Sequence, residues 1–249
     1  HLHGGPKGFD KVFWEIEPVN DSTLLLSYQS SAGEEGYPGT LDVTVTYTLT
    51  QANELKIDYS ATTDTSTIVN LTQHTYFNLT GDPSQTILDH ELWIDAANYL
   101  PVDATLIPTG EVVPVANTPF DFTTMAPIGS RINEEHEQLI RGKGYDHCWV
   151  FADSKSATIR KVAELYEPKS GRLVEVRTTE PGIQFYSGNF LDGKLIGKDG
   201  VRYKHRTGLC LETQHFPNSP NEPDFPSTVL SPGQTYSSTT IYKFLTKDK

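Results

Sequence analysis

The 249 residues carry 20 Lys and Arg against 32 Asp and Glu, a formal charge of −12, which repels phosphate backbones and anionic lipid surfaces and sets nucleic acid and membranes aside as partners. Hydrophobic residues at 36% and aromatics at 10%, with 19 Gly and 16 Pro, describe an ordered, loop-rich globule that can bury a core and excludes fibrous or disordered chains. No apolar run approaches the roughly 18 residues needed to span a bilayer, and the two cysteines, Cys148 and Cys210, are too few for a disulfide framework and lack any Cys-x-x-Cys spacing.

Strand periodicity dominates the chain. The first candidate is Thr23 to Tyr28. In Leu41 to Leu49 every odd position is apolar and every even one is Asp or Thr, the pattern of a half-buried strand. Further strands are expected at Glu54 to Tyr59, Glu91 to Ile94, Cys148 to Phe151, Ala157 to Tyr166, Arg172 to Thr178 and Thr239 to Leu245, separated by Gly, Pro, Asn and Asp clusters. One helix is expected over Ser130 to Arg141, with Ser130 as its cap and Gly142 as its left-handed stop. The stretches Leu100 to Thr124 and Phe216 to Ser231 read as long loops, which in a compact domain are functional or packed by their own side chains. Many short strands without alternating helices favour an all-β sandwich or barrel, and we expect residues 1–249 to form a single domain.

Five segments set titratable residues among Gly, amide and aromatic neighbours: His1 to Gly5, Gln73 to Asn78, Gly144 to His147, Gly182 to Asn189, and Leu211 to Pro217. Imidazoles, carboxylates, amides and aromatic faces together suit the hydroxyl edges and apolar ring face of a sugar. Any one of the histidines alone reads more readily as a hydrogen-bonded structural residue.

In sequence order, His3-Gly4-Gly5 with Gly8-Phe9-Asp10-Lys11 and Trp14, Asn70-Leu71-Thr72-Gln73-His74-Thr75-Tyr76-Phe77-Asn78-Leu79, Gly144-Tyr145-Asp146-His147, Pro181 to Asn189, and Leu211 to Asn221 resemble successive blocks of the aldose 1-epimerase (galactose mutarotase) family. That resemblance implies a large antiparallel β-sandwich of the galactose mutarotase-like type, with the short helix near 130–141. It implies an isomerase that interconverts the α and β anomers of a free aldohexose, galactose or glucose. By the same resemblance Glu212 takes the place of the general base and His74 that of the general acid, while His3, Asp146 and Gln184 bind the sugar. No cofactor and no metal are expected. Removing the C1 hydroxyl proton while the ring oxygen receives one opens the hemiacetal, so a carboxylate and an imidazolium suffice. Their mutual charge is expected to keep His74 protonated and Glu212 ionised. The family also carries strands and an active-site arginine ahead of its His-Gly-Gly block, and a chain without them is expected to expose sheet edge or core.

Other readings follow from single features. Paired carboxylates would serve a glycoside hydrolase. Arg202, Lys204, His205 and Arg206 would meet the phosphate of a hexose 6-phosphate, although a solvated turn is the preferred account. A non-catalytic sugar-binding or regulatory module of the same fold is a further alternative. The amino terminus with His1-Leu2-His3 could hold Cu(II). The sequons at Asn20, Asn70 and Asn78 fit a secreted protein, whereas a chain with only two cysteines, enough for one disulfide at most, suits a reducing cytoplasm, which is the expected location, with a monomer or weak homodimer as the expected state. Trp14, Trp93 and Trp149 read as core, and His90, His136 and His215 as surface or backbone-satisfying residues. One of Phe185 and Tyr186 is a candidate to stack on the sugar ring.

Overall fold

The computed structural model describes residues 1–152 and 158–247. Its strands are β1 (Glu15–Asn20), β2 (Thr23–Ser30), β3 (Leu41–Leu49), β4 (Glu54–Thr63), β5 (Thr67–Ile68), β6 (Tyr76–Phe77), β7 (Glu91–Ile94), β8 (Asn98–Tyr99), β9 (Val113–Pro114) and β10 (Ala126–Pro127). After a short helix, α1 (Glu137–Gly142), follow β11 (Asp146–Val150), β12 (Arg160–Glu167), β13 (Arg172–Thr178), β14 (Gly182–Tyr186), β15 (Leu209–Gln214), β16 (Val229–Leu230) and β17 (Tyr236–Thr246). The expected strand from Ala157 begins outside the described residues, and its observed part is β12.

Two antiparallel sheets face each other. One has nine strands in the order β1-β2-β3-β4-β17-β13-β12-β7-β10, the other six in the order β6-β15-β14-β11-β8-β9, and β16 pairs with β5 separately. The alternation read in Leu41–Leu49 points Val43 and Val45 inward, beside Ile57 and Tyr59 of β4 and Val174 and Val176 of β13. Opposite them, Trp149, Ile183, Phe185 and Leu211 of the six-stranded sheet fill the same core. This is the all-β sandwich expected. The nine-stranded sheet ends in β1, an edge strand whose six residues are all exposed, Ile16 and Val19 among them.

The helix is shorter than the expected Ser130 to Arg141. Ser130 closes a 3₁₀ turn and donates its hydroxyl to the Pro127 carbonyl at 2.6 Å, so it caps nothing. His136 is the cap instead, its Nδ1 accepting from the Gln138 amide at 3.2 Å. Lys143, at φ 56°, takes the left-handed stop expected of Gly142. Gln138 accounts for the placement of the helix, because its side-chain amide pairs with both backbone groups of Val102 and docks α1 onto that segment.

Candidate active site

Strand register builds the site. Asp146 on β11 opposes Tyr186 on β14, which opposes Cys210 on β15, which opposes Tyr76 on β6. One rung along, Cys148 opposes Gln184, which opposes Glu212. Residues opposed across antiparallel strands share a face. One face of the six-stranded sheet therefore presents Tyr76, Asp146, Gln184, Tyr186, Cys210 and Glu212, while the alternate residues His147, Phe185 and Leu211 turn into the core. Leu100, Phe216 and Phe225 pack with Cys148, so the two long loops are packed by their own side chains over one part of that face.

Two histidines approach from outside the sheet. His74 precedes β6, and its Nε2 stands 3.7 Å from Glu212 Oε1. Tyr76 stacks on it with centroids 5.2 Å apart, and His3 meets it edge-on at 5.4 Å. His3 reaches that position through a tight turn: it sits at φ 55°, and Gly4 and Gly5 follow at φ 81° and 102°. A β-carbon on Gly5 would strike the Glu35 carboxylate and the His1 ring, so the glycine is needed for space as well as for backbone angle. Asp146 and Gln184 are joined directly, Gln184 Nε2 donating to Asp146 Oδ1 at 2.8 Å. The structure thus brings together all five residues singled out in the sequence: His3, His74, Asp146, Gln184 and Glu212.

The segment carrying His74 hangs from β15 by its side chains. Asn70 donates to the His215 carbonyl at 2.9 Å and accepts from the His215 amide at 3.0 Å, copying one rung of sheet pairing. Thr72 donates to the Thr213 carbonyl at 2.9 Å, and the Gln73 amide bonds the hydroxyl of Tyr242, which donates to the Leu211 carbonyl at 2.7 Å. Asn70 and Thr72 thus fix His74 to the strand that bears Glu212. A comparable network holds Asp146. Asn189 donates to the carbonyls of Gly142 and Tyr145, each at 2.9 Å, and accepts from Ser187 at 2.7 Å.

Burial sets the charges. It pushes the Glu212 carboxyl up to about 8, helped by the nearby Asp146 carboxylate, and raises Asp146 as well. It also lowers His74 below the usual imidazole value, assisted by His3. The sequence suggested an ion pair of protonated His74 and ionised Glu212. The structure reverses the preference, because desolvation opposes both charged forms and outweighs an attraction acting across 3.7 Å. At neutral pH the pair holds one proton, and it resides mainly on Glu212. The separation is too long for a direct hydrogen bond, so the two groups are not locked to each other.

Several eye-catching residues lie elsewhere. His147 is fully buried on the core face, bonded to Gln138 at 3.1 Å and held neutral by burial at about 3. His90 accepts from the Leu79 amide at 2.9 Å, and His215 pairs with the buried Glu180 at 2.6 Å; neither His90 nor Glu180 is on the surface. Trp149 is fully buried, whereas Trp14 and Trp93 are only partly so and donate to the carbonyls of Phe9 and Thr123. Arg206 is buried rather than solvated and bonds Asn133 and the Lys143 carbonyl. His1 turns to Tyr37 while His3 turns to His74, so the two do not converge on a copper ion. The amides of Asn70 and Asn78 are engaged internally, which argues against both sequons. Of the two aromatics near Gln184, Phe185 is core and Tyr186 faces the site. Tyr76 and Cys210 were not singled out; only the pairing of β6, β14 and β15 puts them there.

Residues 1–243 match the family model for aldose 1-epimerase. The chain belongs to the aldose 1-epimerase family. It is 48% identical over 243 residues to galactose mutarotase of Homo sapiens, covering 98% of this chain and 68% of that protein. It is 41% identical over 246 residues to aldose 1-epimerase of Escherichia coli K12, covering 98% and 70%. An aldose epimerase homologue from C. elegans superposes with a TM-score of 0.89 at 31% identity, covering 100% of this chain and 73% of that one. Galactose 1-epimerase from Lactobacillus acidophilus gives 0.86 at 29%, covering 100% and 70%. Membership in the aldose 1-epimerase family agrees with the β-sandwich and with an isomerase that interconverts aldose anomers.

Proposed function

We propose that this protein opens and recloses the pyranose ring of a free aldohexose, galactose or glucose, and so equilibrates its α and β anomers. The observation that carries this reading is the Glu212–His74 pair at 3.7 Å on one face of the sheet, sharing a single proton near neutrality. Glu212, as carboxylate, takes the proton of the C1 hydroxyl while His74, as imidazolium, gives one to the ring oxygen, and the C1–O5 bond breaks. This leaves Glu212 protonated and His74 neutral. The aldehyde rotates about C1–C2, O5 attacks the other face of C1, and the two protons return. Each turnover visits both proton arrangements. Burial inverts the preference that holds in water, where the ordinary values of 4.5 and 6.5 favour the ion pair, so the proton that His74 gives to the ring oxygen comes from a pair that already holds one.

Asp146, oriented by Gln184, and His3 at the open side supply polar contacts for sugar hydroxyls. Tyr76 and Tyr186, edge to face at 6.1 Å, supply apolar surface for the ring. Two carboxyl groups in the cluster favour a neutral sugar over a phosphorylated one. The test is polarimetry of freshly dissolved α-D-galactose, α-D-glucose and glucose 6-phosphate. Acceleration for the neutral sugars, abolished by Glu212→Gln and by His74→Ala, is expected. A folded chain that binds galactose without accelerating its mutarotation would overturn the enzyme reading in favour of a sugar-binding module.

A further inference from the structure

Cys210 stands two residues before Glu212 on β15 and therefore on the same face, yet the ring-opening chemistry leaves it idle. Ligand atoms of His74, Cys210 and Glu212 all lie within 4.8 Å of one another. The Cys210 side chain is fully buried, and burial, with the Glu212 charge, pushes its thiol far above the ordinary range. Such a thiol is a poor nucleophile and a poor redox sensor. A cation changes that, because a bound divalent ion deprotonates a coordinating thiol outright.

One imidazole nitrogen, one sulfur and one carboxylate oxygen are a set that selects zinc-like ions over magnesium or calcium. Three protein ligands with a fourth side open is the arrangement of an accessible zinc site. With metal–ligand bonds of about 2.0–2.3 Å, tetrahedral ligands stand roughly 3.3–3.7 Å apart, so atoms within 4.8 Å of one another need to close by about 1.5 Å at most. Glu212 and Cys210 share one strand, while the His74 side chain is 34% exposed and precedes β6, so the imidazole is the ligand with most room to adjust.

We infer that His74, Cys210 and Glu212 form a site for a thiophilic divalent cation, Zn²⁺ by ligand type, and that its occupation switches off anomer interconversion. The inhibition rests on the function proposed above; the binding does not. Binding releases the thiol proton, and the Glu212 proton where present, to solvent. Nothing is oxidised or reduced. Because the metal takes the lone pair of His74 and the carboxylate of Glu212, it removes both groups that move protons.

The experiment uses Co²⁺ as a spectroscopic probe of the whole chain, followed by Zn²⁺ inhibition of galactose mutarotation. A near-ultraviolet thiolate-to-cobalt charge-transfer band is expected. Zn²⁺ should bleach it, Cys210→Ser should abolish it, and Cys148→Ser should leave it unchanged. The Cys210→Ser protein should remain active and require at least about tenfold more Zn²⁺ for half-inhibition, since loss even of an outer-shell partner costs about 10–100-fold in metal affinity. Cys210→Ala, checked by near-ultraviolet circular dichroism, serves if the serine variant does not fold. Absence of the band in the wild type, its survival in both Cys210 variants, or equal Zn²⁺ sensitivity of wild type and variant would each overturn the inference. A Cys210-dependent band in a chain without mutarotase activity would sustain the metal site while sinking the proposed function.

Discussion

The six-stranded sheet has two faces built from alternate residues of the same strands, and they obey opposite rules. On the inner face Trp149, Ile183, Phe185 and Leu211 are fully buried among apolar neighbours, where removal from water stabilises the fold. On the other face Asp146, Gln184 and Glu212 occupy the neighbouring positions, and burial there raises both carboxyl groups, a cost to the fold whenever they ionise. One face holds the sandwich together; the other places the groups proposed to move protons where water is thin. This difference predicts that substitutions one residue apart in sequence separate stability from activity.

The largest effects test that separation directly. Glu212→Gln and His74→Ala should each lower kcat/KM by roughly 10²–10⁴-fold, the usual contribution of a positioned acid or base, without lowering the denaturation midpoint. Phe185→Ala, next to Gln184 but on the inner face, should cost about 3–5 kcal/mol of stability in a denaturant titration. Loss of folding in Glu212→Gln would break the comparison.

Charge sharpens it further. The proposed mechanism requires one proton on the pair, so the pH profile of kcat/KM should fall on the alkaline side near 8, where the pair loses that proton, and on the acid side below 6.5, where it gains a second. Both limbs belong to the pair rather than to single residues. Stability follows from the same shift. The folded Glu212 pKa lies above its ordinary value of 4.5, so the folded state binds the extra proton between about pH 4.5 and 8 and loses stability as pH rises through that window. Glu212→Gln should therefore be more stable than the wild type above pH 8, with the difference vanishing near pH 4. Parallel stability curves for the two proteins would show that the buried carboxyl carries no such cost.

Much of this division was legible in the sequence. The alternation over Leu41–Leu49 translated directly into β3, and the family blocks pointed to five residues that the structure places in one cluster. What sequence alone could not supply was pairing. Nothing in Gln184 or Glu212 states that they oppose each other, and Tyr76 and Cys210 join the site only through the register of β6, β14 and β15. The charge state failed for a related reason, since desolvation depends on neighbours distant in sequence. The helix was misjudged because Ser130 satisfies its hydroxyl locally, leaving His136 as the cap.

Intermediate effects come from residues that join the two faces. Asn70 is not among the residues proposed to meet the sugar, but its amide sets the height of His74 against β15 through both backbone groups of His215. Asn70→Ala leaves those two groups unpaired, at a cost of about 1–3 kcal/mol. Because the displaced group is the proposed acid and not a proposed sugar contact, kcat should fall about tenfold while KM moves little; Asn70→Asp, which keeps only the acceptor, should fall less. Equal changes in kcat and KM would make Asn70 part of sugar binding instead.

The smallest effect tests how far the working face extends. Tyr186 contributes an aromatic wall beside His74, at 6.3 Å, and its hydroxyl accepts from the Phe190 amide at 2.8 Å, tying the following loop to the sheet. Tyr186→Phe keeps the wall and removes the tie, so stability should drop by about 1 kcal/mol with kcat nearly unchanged. Tyr186→Ala removes both and should raise KM for galactose by several-fold, since the ring loses apolar surface. If the two variants behave alike in sugar binding, the hydroxyl and not the ring is what the sugar senses, and the apolar wall must be assigned to Tyr76 alone.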